Sequence, residues 1–184
     1  MNYTAIGAVF GALLVTAAPA EPALDSTYAG QHLRDIKALS ADDVDGLLSG
    51  RGMGFAKAAE LNGYPGPLHV LELAEELELT AEQRARTEDL FRSMQAEAKT
   101  LGRALVAEEL ELDELFASAQ VTPERLTASL ERIAAVQAKL RRVHLEAHLE
   151  QFRILTPGQN DRYAELRGYG DGRAHPGQGM HDGH

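Results

Sequence analysis

The chain of 184 residues is acidic, with a formal net charge of −10, and it contains neither Cys nor Trp. The missing Cys rules out disulfides, thiolate metal sites and cysteine nucleophiles. The acidic balance opposes a grip on phosphate backbones, which depends on clustered Lys and Arg, so no nucleic-acid partner is expected. With 44% hydrophobic residues but only 5% aromatic ones, the composition suits Leu- and Ala-rich helices better than a β-sandwich.

The N-terminus carries an apolar run from Ala5 to Val15 followed by Ala18-Pro19-Ala20, the small-x-small form of a signal-peptidase site. Residues 1–20 therefore read as a removed secretory signal, and the mature chain is expected in the periplasm. Residues 21–66 are broken by glycines and turn residues and read as short helices and loops. Within them, Ser40-Ala41-Asp42-Asp43 forms a helix cap before Val44 to Leu48, and Asn62 to Pro67 is a strong breaker.

From residue 67 to residue 168 the pattern predicts continuous helix. Leu68 to Glu78 is a short amphipathic element. Thr80 then starts a long helix whose apolar row is Leu90, Met94, Leu101, Leu105, Leu112 and Leu115. The pattern stops at Ser118 to Val121. Thr122-Pro123 starts a second long helix, with a hydroxyl cap followed by Pro at the first helical position, where no N–H is missed. Its inward row is Leu126, Leu130, Ile133, Val136, Leu140 and Val143, and it ends near Leu155. Two long helices with a short connection predict an all-α fold built on a long antiparallel hairpin with short flanking helices. Residues 169–184, rich in Gly and His, read as a disordered tail.

Leu79-Thr80-Ala81-Glu82-Gln83 recurs as Leu155-Thr156-Pro157-Gly158-Gln159. Each has the form of a capping box, in which the Thr oxygen accepts from the N3 amide and the Gln side chain reaches back to the cap amide; the preceding Leu is placed to staple the bend. Each pentapeptide is thus a helix corner and carries no reaction. The recurrence at both ends of a hairpin resembles the LTxxQ family of periplasmic proteins, which takes in Spy- and CpxP-type chaperones, zinc-resistance-associated proteins and periplasmic heavy-metal sensors. The likeness covers Gly66 to Leu166. It implies a hook-shaped hairpin that dimerises into a cradle. It also implies a role as ATP-independent chaperone for unfolded periplasmic proteins, as a metal-responsive protein, or as regulatory partner of a membrane-bound sensor or anti-sigma protein. Two departures stand out. The chaperone members look like cationic cradles and this chain is acidic. The sensor members look like sites with an early H-x-x-x-H and a late H-x-x-x-M, whereas this chain has only the late element, as His144-x-x-x-His148.

At about 100° per residue, His144 and His148 fall on the inward side of their helix. An inward i,i+4 pair of imidazoles can place two nitrogens on one ion, with Zn, Cu or Ni the usual choices, or can simply be two partly buried, hydrogen-bonded histidines. Folding the hairpin about residue 120 brings Met94 and Gln95 opposite; Met94 is either core filler or a third donor, which would favour Cu(I). His69 stands before the first corner as His144 does before the second and is a fourth candidate. The tail adds His175, Met180, His181 and His184, a weak tract for divalent ions. Met53 and Glu60 either complete a site or merely pack. No nucleophile with an oxyanion hole and no phosphate loop is present, so an enzyme is not expected. Leu145, Leu149 and Phe152 form a second apolar face on the same helix that needs a cover, which the N-terminal region, the last short helix, a second subunit or a client could supply; a homodimer is the preferred expectation.

Overall fold

The computed structural model describes residues 26–169, so the expected signal segment 1–20 and all of the expected tail beyond Tyr169 lie outside the described residues. The described residues form helices and connecting turns: a 3-10 turn at Gln31–Leu33, α1 (Ala41–Ser49), α2 (Lys57–Glu60), α3 (Pro67–Glu72), α4 (Ala81–Ala117), α5 (Pro123–Ile154) and α6 (Pro157–Leu166). The all-α class and the long antiparallel pair α4/α5 agree with the sequence reading. Among these residues no helix is long and apolar enough to cross a membrane.

Most helix starts have a side-chain cap. Ser40 accepts from the Asp43 amide while Asp43 reaches back to the Ser40 amide, and Gly50 ends α1 in the left-handed region at φ 69°. Thr122 accepts from the Arg125 amide to start α5. Thr80 and Thr156 each complete a full capping box with Gln83 and Gln159. One boundary differs from expectation. The element after Pro67 ends at Glu72 and continues as turns to Glu78, which takes φ 49°. A left-handed residue there swings the chain into the first corner.

The two corners meet. Gln83 Nε2 donates to Gln159 Oε1 at 2.8 Å and to the Ile154 carbonyl at 3.0 Å. Gln159 Nε2 donates to Gln83 Oε1 at 3.1 Å and to the Leu77 carbonyl at 3.0 Å. Each Oε1 also accepts from its own cap amide, Thr80 N at 3.1 Å and Thr156 N at 2.9 Å. Both amides thereby use all their hydrogen-bonding capacity. Behind them lies a core of Val70, Leu77, Leu155 and Tyr163, with the two staple leucines, Leu79 and Leu155, in it.

A second core joins α1 to the hairpin through Leu47, Ala98, Leu105, Ile133 and Leu140. Here the inward row of the sequence reading is partly displaced. Fully buried on α4 are Thr87, Ala98, Gly102 and Leu105, and on α5 Ser129 is buried where Leu130 is exposed. On α4 the reason is the close approach of α1. A Cβ at Gly102 would lie 2.0 Å from the Leu47 carbonyl oxygen, so the small residues Ala98 and Gly102 make the notch into which α1 fits. The remaining apolar face of α5 is covered in part by the N-terminal region, with the Tyr64 ring 4.9 Å from that of Phe152, while Leu149 stays exposed.

Two outcomes follow for stability. Gln83→Ala and Gln159→Ala should each cost about 1–3 kcal/mol in urea unfolding because each strands its partner's amide. The double variant should cost less than their sum by roughly 0.5–3 kcal/mol, and strict additivity would show that the amides act separately. Gly102→Ala should gain about 1 kcal/mol if only helix propensity mattered. The collision with α1 should instead make it a net loss on the order of 1–3 kcal/mol.

Candidate metal centre

The breaker at Asn62 to Pro67 folds α2 and its following loop back against the C-terminal part of α5, opposite His148. That return brings an acid and two histidines from three separate elements to the end of the hairpin. His148 is nearly buried, and its Nδ1 lies 2.8 Å from the Tyr64 carbonyl oxygen. A carbonyl can only accept, so Nδ1 carries the proton and donates; in the neutral ring the lone pair is on Nε2. Such a bond to a backbone carbonyl is the usual means of orienting a metal-ligating imidazole. A Cβ built at Gly66 would lie 3.0 Å from His148 Nε2 and Cε1 and 3.5 Å from Glu60 Oε2. The absent side chain of Gly66 thus leaves a small space bordered by both an imidazole nitrogen and a carboxylate oxygen.

Glu60, at the end of α2, is 8% exposed. Its Oε1 accepts from the Tyr163 hydroxyl at 2.5 Å and lies 3.4 Å from His69 Nδ1 and 3.7 Å from Arg167 Nε. Its Oε2 lies 3.6 Å from His148 Nδ1 and is buried without a hydrogen-bond partner. Burial by itself pushes this carboxyl up. The hydrogen bonds from His69 and Tyr163, with the charges of His69 and His148, outweigh burial and hold it below the usual carboxylate range. The Tyr163 hydroxyl is pushed well up, first by burial and then by its bond to Glu60, so it stays a neutral donor.

His144 lies one turn before His148 and is 2% exposed. Its ring is stacked on Phe55, with 5.7 Å between centroids and 15° between planes, and its Nε2 is buried without a hydrogen-bond partner. Burial, helped by the neighbouring His148, lowers the His144 pKa. Burial also lowers that of His148, against the opposing pull of the Tyr64 carbonyl and Glu60. Both rings are therefore held toward the neutral, metal-ligating form.

The expected inward placement of His144 and His148 agrees with this geometry. His69, on α3, touches the same Glu60 carboxylate from its other side and shares Tyr163 at 3.4 Å. Met94 sits half-buried on α4. The Thr87–Gln151 and Glu108–Arg132 pairs set the helix register, which puts Met94 level with His144. Glu60 is the member whose role the sequence left undecided between completing a site and merely packing. Met53, the other such residue, packs its sulfur on Gly46, where a Cβ would lie 2.6 Å away, at some remove from the cluster's polar atoms. His175, Met180, His181 and His184 lie outside the described residues. Among the described residues, no three His, Asp or Glu side chains are gathered closely enough to hold an ion. What the cluster does supply are donor types that metals take: an unpartnered imidazole nitrogen, an oriented second imidazole, an unpartnered carboxylate oxygen and a small space beside the last two.

Residues 56–162 match the model of a family described as heavy-metal resistance. No curated protein and no solved structure matches the chain.

The lowered histidine pKa values set a pH dependence. Between the folded values and the unfolded value near 6.5, the unfolded chain binds more protons, so stability rises with pH. The melting temperature should fall as pH drops from about 7.5 to about 5.5, and His144→Leu should flatten part of that slope. A melting temperature constant over this window, followed by circular dichroism, would contradict the placement of both rings. Loss of Glu60 stabilisation comes lower, below about pH 4.5.

Proposed function

The chain belongs to the heavy-metal resistance family, and from that premise we propose that it is a periplasmic, non-enzymatic envelope-stress protein that binds a divalent or soft transition-metal ion. The binding residues are His144 and His148, joined by Glu60. The observation that carries this reading is His148: its Nδ1 is fixed on the Tyr64 carbonyl, and its Nε2 faces the Gly66 space beside the unpartnered Oε2 of Glu60. Two imidazoles and a carboxylate suit Zn(II), Cu(II) or Ni(II). Met94, at the level of His144, would shift preference toward Cu(I), and His69 is placed to join through the far side of Glu60. For the ion to gain more than two donors, Glu60 Oε2, which already lies on the His148 side, has to close on the Gly66 space. His175, Met180, His181 and His184 would act as a weak outer tract that raises the local concentration of the ion.

A second reading, an ATP-independent holdase, draws on apolar surface left open toward the hairpin end, where Phe116 is 56% exposed and Leu110 and Leu130 are also open. A homodimer covering Leu149, and docking on a membrane-bound sensor, are compatible with either reading. Suppression of client aggregation without metal or ATP would favour the holdase; none at stoichiometric excess would count against it.

The metal reading is tested by isothermal titration with Zn(II), Cu(II) and Ni(II), using a chain whose tail histidines and Met180 are replaced by Ala. His144→Ala and His148→Ala should each weaken binding by roughly tenfold or more, and Glu60→Gln by a smaller factor. Gly66 has φ −85° and ψ 143°, which Ala adopts freely, so Gly66→Ala tests the space alone. It should weaken binding with every donor still present. Affinity unchanged by both histidine substitutions would sink the reading.

A further inference from the structure

Around the Glu60 carboxylate stand the Tyr163 hydroxyl, two imidazoles, His69 at 3.4 Å from Oε1 and His148 at 3.6 Å from Oε2, and Arg167, which alone of these carries a charge at every pH. Arg167 caps the C-terminal end of α6, and its Nε is buried, reaches no hydrogen-bond acceptor and lies 3.7 Å from Glu60 Oε1. Its guanidinium carbon lies 6.0 Å from the centre of the Tyr169 ring. Tyr169 in turn packs on the core of Val70, Leu77, Leu155 and Tyr163, and its amide donates to the Ala164 carbonyl at 2.8 Å. One side chain thus links the candidate metal centre to the end of the last helix.

Resting on the metal reading above, we propose that Arg167 is the resident counter-cation of Glu60 and competes with a bound metal ion for that carboxylate, so that metal binding loosens the C-terminal end of α6. A buried carboxylate needs a counter-charge, and a divalent ion supplies a stronger one than a guanidinium that stands 3.7 Å off and is shared with Tyr169. The two cations cannot share the carboxylate without repelling each other at short range in a poorly solvated place. Entry of the ion therefore draws Glu60 toward His148 and leaves Arg167 beside a like charge with no acceptor for Nε. The guanidinium must then turn outward, away from Glu60, carrying its contact with Tyr169 with it. Arg167 ligates nothing. It sets how tightly the site binds and transmits occupancy to the segment that leads into residues 170–184.

The competition has an unusual signature, because a purely structural arginine would weaken binding when removed. In the full chain, with Zn(II) affinity measured against a chromophoric chelator, Arg167→Gln should bind on the order of tenfold more tightly than the parent. Arg167→Lys, which keeps the charge, should stay close to the parent, and adding Glu60→Gln to Arg167→Gln should abolish the gain. Hydrogen exchange of the parent should show faster exchange of the Arg167, Gly168 and Tyr169 amides on saturation with Zn(II), with α4 and α5 unchanged or slower. Equal or weaker binding by a folded Arg167→Gln chain overturns the proposal. Unchanged exchange at these amides overturns it too, and that measurement needs no variant. If His148→Ala leaves Zn(II) binding intact, the metal reading itself fails. If His148→Ala weakens binding while Arg167→Gln does not tighten it, only the competition fails.

Discussion

Two glutamine side chains, placed face to face between the corners of the hairpin, set the geometry on which the candidate site rests. Gln83 and Gln159 each cap their own helix and each donate to the other's amide and to a backbone carbonyl across the junction. Because each amide is saturated, neither corner can rotate without breaking bonds at both. α3 enters the first corner and α6 leaves the second, so the pair fixes these two short helices relative to each other. His69 rides on α3 and Tyr163 on α6, and they close on Glu60 from two directions. A shift of about an ångström at the corners would part Tyr163 from Glu60, since hydrogen bonds fail beyond roughly 3.5 Å.

How much of this could be read from the residues depends on the range of each interaction. Thr80 with Gln83 and Thr156 with Gln159 are three residues apart, so their caps are written in a local pattern. The amide pair between Gln83 and Gln159 is not local: once the capping role has explained each Gln, nothing in its sequence says that the second half of the amide has another partner. Gly102 was illegible for a different reason. A glycine inside a helical pattern reads as a small destabilisation, and only the approach of Leu47 turns it into a contact surface. On α5 Ser129 is buried and Leu130 exposed, against a hydrophobicity rule that ranks side chains without their neighbours. His144 and His148 were placed inward because their helix phase is set by many residues. Glu60 could not be, since its burial depends on the turn at Asn62 to Gly66 folding α2 back against α5, and turn composition fixes a bend without fixing its destination.

Buried polar groups alone do not mark a site in this fold. Ser129 Oγ, Gln151 Oε1 and Asn160 Oδ1 are also buried without partners, and they sit singly along the helices. Two features set the Glu60 cluster apart. The first is chemical type: besides Arg167 Nε, the unpartnered atoms at Glu60 and His144 belong to a carboxylate and an imidazole, which are metal donors, whereas a hydroxyl and two amide oxygens are poor ones for Zn, Cu or Ni. The second is convergence. Glu60 Oε2 and His148 Nε2 border the same space at Gly66, one turn from the unpartnered Nε2 of His144.

Burying an acid among two histidines and an arginine gains little over well-packed apolar side chains of similar volume, and is often worse. The corner amides show what this chain does where polar burial serves architecture: every donor and acceptor is matched. The Glu60 cluster is built to a different standard, with Oε1 crowded by Tyr163, His69 and Arg167 and Oε2 left without a donor. An architectural cluster would gain by turning that carboxylate until both oxygens were bonded. A carboxylate held on one side by a hydroxyl and a guanidinium, with its other oxygen turned toward an oriented imidazole, keeps one acceptor unmatched, and that acceptor is the one a cation would take under the proposed metal reading.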